Sequence, residues 1–137
     1  MDGLVRFQAI PTHLIRQQWP VILPGLSQIK QQNGEDWLPE DVYASLVSGK
    51  STLYLFTKAT GEFCGFAVLE IIMMPYATNP WLNIWIGYAT ERDYGHYGVE
   101  VAKQVQAQAG LEKTVFSSPQ DTPWVQKFRK ITTQYEV

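Results

Sequence analysis

Residues 52–89 hold three extended segments in succession with no helical pattern between them, and this constrains the fold more than any other feature of the chain. Thr52 to Thr57 is predicted as a strand, Ala59-Thr60-Gly61 as its turn and Phe63 to Met74 as a longer strand, together making a hairpin. Pro75 and Pro80 mark the next connection, and Trp81 to Ala89 reads as a further strand. Strict alternation puts Leu82, Ile84, Ile86 and Tyr88 on one face of that strand and Asn83, Trp85, Gly87 and Ala89 on the other.

The flanking segments supply helices. Leu4 to Ile10 is a first strand, closed by Pro11. From Pro11 or Thr12 a helical pattern runs to Asn33-Gly34, with Ile15, Trp19, Ile22, Leu26 and Ile29 along one face. Pro20 and Pro24 fall inside it, so a kink or two short helices are expected. Pro39 to about Val47 is a second helix, with Val42, Leu46 and either Tyr43 or Val47 inward and a stop near Gly49. Tyr94 to Ala109 is a third, carrying the small-residue stripe Gly98, Ala102, Val105 and Ala109, and Gly110 caps it. Lys113 to Ser117 is then a strand, Pro123 to Lys130 a short helix and Thr132 to Val137 a last strand. The resulting order, β-α-α-β-β-β-α-β-α-β, implies one α/β domain over residues 1–137, a mixed sheet with helices on both faces.

Composition narrows the function classes. Eleven basic against 13 acidic residues leave a net charge of −2, which disfavours nucleic acid as a partner. The longest apolar stretch, Phe66 to Met74, is interrupted by Glu70 and is too short to span a membrane. A single cysteine, Cys64, excludes an internal disulfide, and two distant histidines give no zinc-binding spacing. No signal peptide is visible at the start, so a cytoplasmic protein is expected. Gly49-Lys50-Ser51 looks like the end of a phosphate-binding loop, but Ala44 stands where that motif needs glycine.

The region after the fourth predicted strand carries the clearest chemical signal. Ile84-Trp85-Ile86-Gly87-Tyr88 leads into Arg92-Asp93-Tyr94-Gly95-His96-Tyr97-Gly98 and then the small-residue helix. Backbone N–H groups at a helix N-terminus, approached closely through glycines, can hold a pyrophosphate. In element order and in Arg92 and Gly95, the chain resembles the GNAT superfamily of acetyl-CoA-dependent N-acetyltransferases, whose loop reads Arg/Gln-x-x-Gly-x-Gly/Ala. Tyr97 stands where that loop has a small residue, and Gly98 follows one position late.

The resemblance implies acetyl-CoA beside the strand at residues 82–89, its pantetheine along Ile84, Ile86 and Gly87. Its pyrophosphate would lie over Arg92, Asp93, Tyr94, Gly95, His96, Tyr97 and Gly98. Glu70 or His96 would act as base toward an amine acceptor. The family's thiolate-protonating Tyr has Arg129 near its place, with Tyr135 as the substitute, and Thr132-Thr133 stand where a Gly-Phe turn is usual. Arginine holds its proton at physiological pH and cannot readily donate it.

On the residues alone, Glu70 is an acid amid apolar neighbours, which must be paired, solvated at a strand end or shifted toward a base. Tyr76, Trp81, Trp85, Tyr88, Tyr94 and Tyr97 are close in sequence and could line a cleft or a partner-binding patch. Lys127, Arg129 and Lys130 would give the short helix a basic face. His13 is expected to be structural, and Cys64 a small core residue. The brevity and divergent loop also resemble bacteriophage proteins of this superfamily, which implies an alternative: a non-catalytic, virion-associated protein, located in host cytoplasm or virion.

Overall fold

The computed structural model describes residues 5–33, 37–73, 75, 78–91, 96–117, 129–131 and 134–136. Within them the chain forms β1 (Val5–Ile10), a 3₁₀ turn (Thr12–Leu14), α1 (Ile15–Asn33), α2 (Pro39–Ser48), β2 (Ser51–Lys58), β3 (Phe63–Ile72) and β4 (Trp81–Ala89). Then follow α3 (Tyr97–Ala109), β5 (Thr114–Ser117), β6 (Arg129–Ile131) and β7 (Gln134–Glu136). The strands make one sheet in the order β1-β2-β3-β4-β5-β7-β6. It is mixed, as expected: β4 and β5 are parallel and every other neighbouring pair is antiparallel.

Each face of the sheet has its own core. On one, Ile22 and Leu26 of α1 and Val42 and Leu46 of α2 pack on Leu53, Leu55, Phe66, Val68 and Ile86. On the other, Val101 and Ala102 of α3 pack on Phe56, Cys64, Ala67, Leu69 and Leu82. Phe66, Ala67 and Val68 are each fully buried, because β3 is covered from both sides.

Helix α1 is continuous through both prolines, where two short helices were an expected possibility. Pro20 and Pro24 are exposed and one turn apart, so the carbonyls they leave without a helical donor sit on the solvent side. The sheet-facing residues Ile15, Ile22 and Leu26 are buried, and this packing carries the helix past the missing bonds. In α2, Val42 and Leu46 are buried, Tyr43 packs partly inward and Val47 is exposed. The Asp41 carboxylate accepts the Leu38 N–H at 2.9 Å at the start of α2, and Gly49 ends it at φ +83°. His13 lies exposed in the 3₁₀ turn, and Cys64 is fully buried.

Three expectations need correction. The α3 stripe is rotated: Gly98, Val101 and Ala102 are buried, whereas Val105 is half-buried and Ala109 exposed. The segment predicted as a helix over Pro123–Lys130 lies largely outside the described residues, but Arg129 and Lys130 belong to strand β6. Arg129 therefore has no place on a helix, and the expected basic helical face is not formed by it and Lys130. The predicted last strand is the short β7, which pairs with β5 and β6. The third correction, in β4, shapes the functional site.

Candidate active site

Strand β4 does not alternate. Val68 of β3 pairs with Ile86 and Leu69 pairs with Ile84, so Trp85 is an extra residue, a β-bulge. An added residue reverses the side-chain direction on the strand beyond it. Leu82 and Ile84 accordingly belong to the α3-side core, and Ile86 and Tyr88 to the α1/α2-side core. The shared face expected for all four residues is split at the bulge.

The bulge coincides with the end of pairing to β5. Leu82, Asn83 and Ile84 pair with Thr114, Val115 and Phe116, and beyond Ile84 strand β4 pairs, among the described residues, only with β3. Among the described residues, these two parallel neighbours run together for three residue pairs. The direction of the exposed backbone groups follows from the ladder. Thr90 N–H donates to the Cys64 carbonyl at 3.0 Å, which makes Gly65 and Ala89 a pair not bonded to each other. Two residues along, Ala67 stands opposite Gly87, and by alternation they form the same kind of pair. The N–H and C=O of Gly87 and of Ala89 thus point away from β3, toward the open edge.

Space is kept clear on this edge. A Cβ added at the exposed Gly87, or at the buried Gly98 in the first turn of α3, would meet no atom of the described residues within 4 Å. On the α1/α2 side the wall is aromatic. Phe66 and Tyr88 stack with centroids 5.4 Å apart, and the Tyr88 hydroxyl donates to Gln28 Oε1 at 3.2 Å. Gly25 of α1 sits against these rings so closely that a Cβ would lie 2.9 Å from both. Gly25, Gln28 and the Trp85 bulge were not singled out by the sequence reading. A bulge leaves no residue-type signature, though a glycine midway along an amphipathic helix is a usable sign of close packing.

The predicted site residues are distributed as follows. Ile84, Ile86 and Gly87 line or flank the open edge. Arg92, Asp93, Tyr94 and Gly95 lie outside the described residues, as does Tyr76 of the aromatic group. His96 caps the start of α3 and is exposed, its ring 4.1 Å from that of Tyr97. Tyr97 is half-buried, turned toward Phe7 with centroids 6.1 Å apart, so its ring contributes to the α3-side core. The aromatics near β4 consequently do not form one cluster: Trp85 and Tyr88 pack on the α1/α2 side and Tyr97 on the other. Tyr135 lies in β7, paired with Phe116 and Lys130.

Glu70 is half-buried at the end of β3, opposite Asn83 of β4. Asn83 Nδ2 donates to Glu70 Oε1 at 2.8 Å, which supplies the partner that a carboxylate in apolar surroundings requires. Alternation from Val68 places Glu70 on the α1/α2 face, so it and His96 are not brought together. Among the described residues no group of His, Cys, Asp and Glu could hold a metal ion, and no helix is long and apolar enough to cross a membrane.

The fold as a whole has counterparts among solved structures. An acetyl-CoA complex of a GNAT family acetyltransferase from Brucella melitensis superposes with a TM-score of 0.63 at 12% identity, over 98% of this chain and 87% of that one. The fold is that of the GNAT acetyltransferases. A "probable acetyltransferase" gives a TM-score of 0.70 at 16% identity, covering 93% of this chain and 91% of that one. An aminoglycoside acetyltransferase from an uncultured soil metagenomic sample, in complex with sisomicin, gives 0.63 at 9% identity, covering 90% and 81%. No protein-family model and no curated protein sequence matches the chain. The GNAT fold thus rests on three-dimensional likeness, and at these identities the likeness extends to architecture alone.

Proposed function

We propose that this protein is an acetyl-CoA-dependent N-acetyltransferase. The observation that carries the reading is the open edge of β4 past Trp85, where Gly87 and Ala89 turn their N–H and C=O groups outward. Pantetheine is an extended chain with two amides. It can add to such an edge as a strand would, exchanging hydrogen bonds with the backbone while side chains stay clear. The missing side chains at Gly87 and Gly98 support a path for the cofactor toward the first turn of α3. There the pyrophosphate would meet helix amides, with Arg92 to Gly98 as the binding loop.

The reaction assigned to the site is transfer of the acetyl group to an amine. The amine nitrogen attacks the thioester carbonyl carbon, a C–N bond forms, the C–S bond breaks and the thiolate leaves. Backbone N–H groups at the bulge would stabilise the oxyanion, since a bulge frees amides from the ladder. Glu70 is our choice of base, acting through water. Asn83 holds one of its oxygens, and it lies on the same sheet face as Trp85. His96 is the second candidate base and Tyr135 the candidate proton donor to the thiolate. The acceptor is a small amine of unassigned structure.

Calorimetric titration with acetyl-CoA, followed by thiol release with a panel of primary amines, tests the proposal. Saturable heat and amine-dependent thiol release are expected. Absence of heat and of any thermal shift at millimolar acetyl-CoA would overturn it, because a ligand of the native state must raise apparent stability. Saturable binding without thiol release would leave the alternative of a non-catalytic protein of this fold, such as a bacteriophage component. No feature of the described residues favours that alternative.

A further inference from the structure

A second concave site lies away from β4, in the crevice between α1 and α2. It is an open cleft of about 450 Å³ lined by Arg16, Trp19, Pro20 and Leu23 of α1 and by Glu40 and Tyr43 of α2. Its volume falls in the range of small-ligand pockets. The floor is largely apolar, and Trp19 and Tyr43 meet edge to face there with centroids 4.9 Å apart. The two charged groups come from opposite helices and are exposed. Among the described residues neither Arg16 nor Glu40 has an ion-pair or hydrogen-bond partner, and they do not pair with each other. A cleft with an apolar base and two unneutralised charges of opposite sign selects against ligands of one sign, since each such ligand is attracted by one wall and repelled by the other.

We infer that this crevice binds a small zwitterion with an apolar body, of the class of free aromatic or branched-chain α-amino acids. The carboxylate would meet the Arg16 guanidinium, whose planar fork matches it with two parallel hydrogen bonds. The ammonium would face the Glu40 carboxylate, and the side chain would lie on Trp19, Leu23 and Tyr43. No residue of the cleft belongs to the β4 edge.

The test follows the Trp19 indole N–H resonance of the full chain, assigned with Trp19→Phe, during titration with three probes. L-phenylalanine carries both charges, its methyl ester only the cation and its N-acetyl derivative only the anion. The zwitterion is expected to bind about tenfold more tightly than either singly charged probe. Arg16→Gln should bring its affinity down to that of the ester, and Glu40→Gln down to that of the N-acetyl compound. Both positions are exposed, and unchanged melting temperatures would establish that the variants fold. Equal affinity for all three probes, preference for a singly charged one, or no response of Trp19 up to about 20 mM ligand overturns the inference. So does concentration-dependent dimerisation that Trp19→Ala abolishes, because the occupant would then be a second copy of the chain.

Discussion

Asn83 donates its side-chain N–H to Glu70 across two neighbouring strands, while the oxygen of the same amide is buried with no donor among the described residues. One half of this side chain is therefore well placed and the other is costly. Replacing Asn83 by Leu removes the orphaned acceptor but also takes the donor from Glu70, which is half-buried and stays within reach of water, so the net loss should be about 1 kcal/mol. Asn83→Asp instead sets a second carboxylate beside Glu70 at a position only 9% exposed, and should lose about 2–3 kcal/mol at neutral pH. Urea denaturation of the two variants decides this. Equal losses would mean that a second carboxylate beside Glu70 brings no repulsion.

Glu70→Gln keeps a hydrogen-bonding side chain in place but cannot accept a proton as a base. If Glu70 serves the amine, turnover falls by about 10²–10⁴-fold while acetyl-CoA affinity stays within about twofold. Steady-state thiol release together with calorimetry separates the two quantities. Unchanged turnover would transfer the role to His96 or to solvent.

Two glycines of neighbouring strands should respond in opposite ways. A Cβ at Gly65 would collide with the Tyr88 carbonyl oxygen, so Gly65→Ala forces the β3–β4 ladder apart and costs about 1–3 kcal/mol. At Gly87 the same addition meets empty space. Gly87→Leu should leave the melting temperature within about 2 °C but weaken acetyl-CoA binding at least about tenfold. Retained binding would place the pantetheine elsewhere.

Gly98→Ala tests the helix start. Its Cβ has room, and alanine is favoured over glycine within a helix by about 1 kcal/mol, so the variant should be more stable than the parent. A stabilised protein with reduced acetyl-CoA affinity would show that the vacancy serves the ligand. Stabilisation without loss of affinity would make Gly98 dispensable.

Burial pushes the Cys64 thiol up from its ordinary value of 9.0, with a smaller opposing pull from Lys58, and burial likewise pushes the Tyr54 phenol up from 10.0. Both groups hold their protons more tightly in the folded chain than in the unfolded one. Their contribution is fully present below about pH 9 and is lost as pH rises through the raised values. Stability should therefore fall as pH rises above about 9. Cys64→Ala should flatten the early part of that decline. An identical decline in the variant would locate the effect in other groups.

The sequence made the order of elements legible because its punctuation is local. Pro39 and Gly49 bound α2, Gly110 ends α3 at φ +66°, and Gly61 turns the β2–β3 hairpin at φ +91°. What it concealed depends on partners distant in the chain. Trp85 looks like one more alternating residue until β3 is paired against it and skips it. Pro20 and Pro24 break helices in isolation, yet here the opposite face of α1 is buried and the helix continues. Arg129 and Lys130 follow a helix-like pattern, but pairing with β7 draws them into a strand. Of the candidate site, Gly87 was recognised for its place in the strand, whereas Asn83, the partner that makes Glu70 tolerable, was noted only as a residue on one face.

Three residue pairs stitch β4 to β5, so the first four strands and the last three meet along a very short seam. The seam is extended by Leu82 N–H donating to the Lys113 carbonyl at 2.8 Å, and Gln106 ties α3 to β5, bonding the carbonyls of Leu111 and Glu112 and accepting from Thr114 Oγ1 at 2.6 Å. The β5–β7 and β6–β7 ladders are also three pairs each, so the sheet is more thinly joined past β4 than across β1 to β4, where the ladders run six to eight pairs. Amide deuteration should penetrate Thr114 to Phe116 well before it reaches Phe66 to Val68, and whatever wedges into that fork will tighten both halves at once.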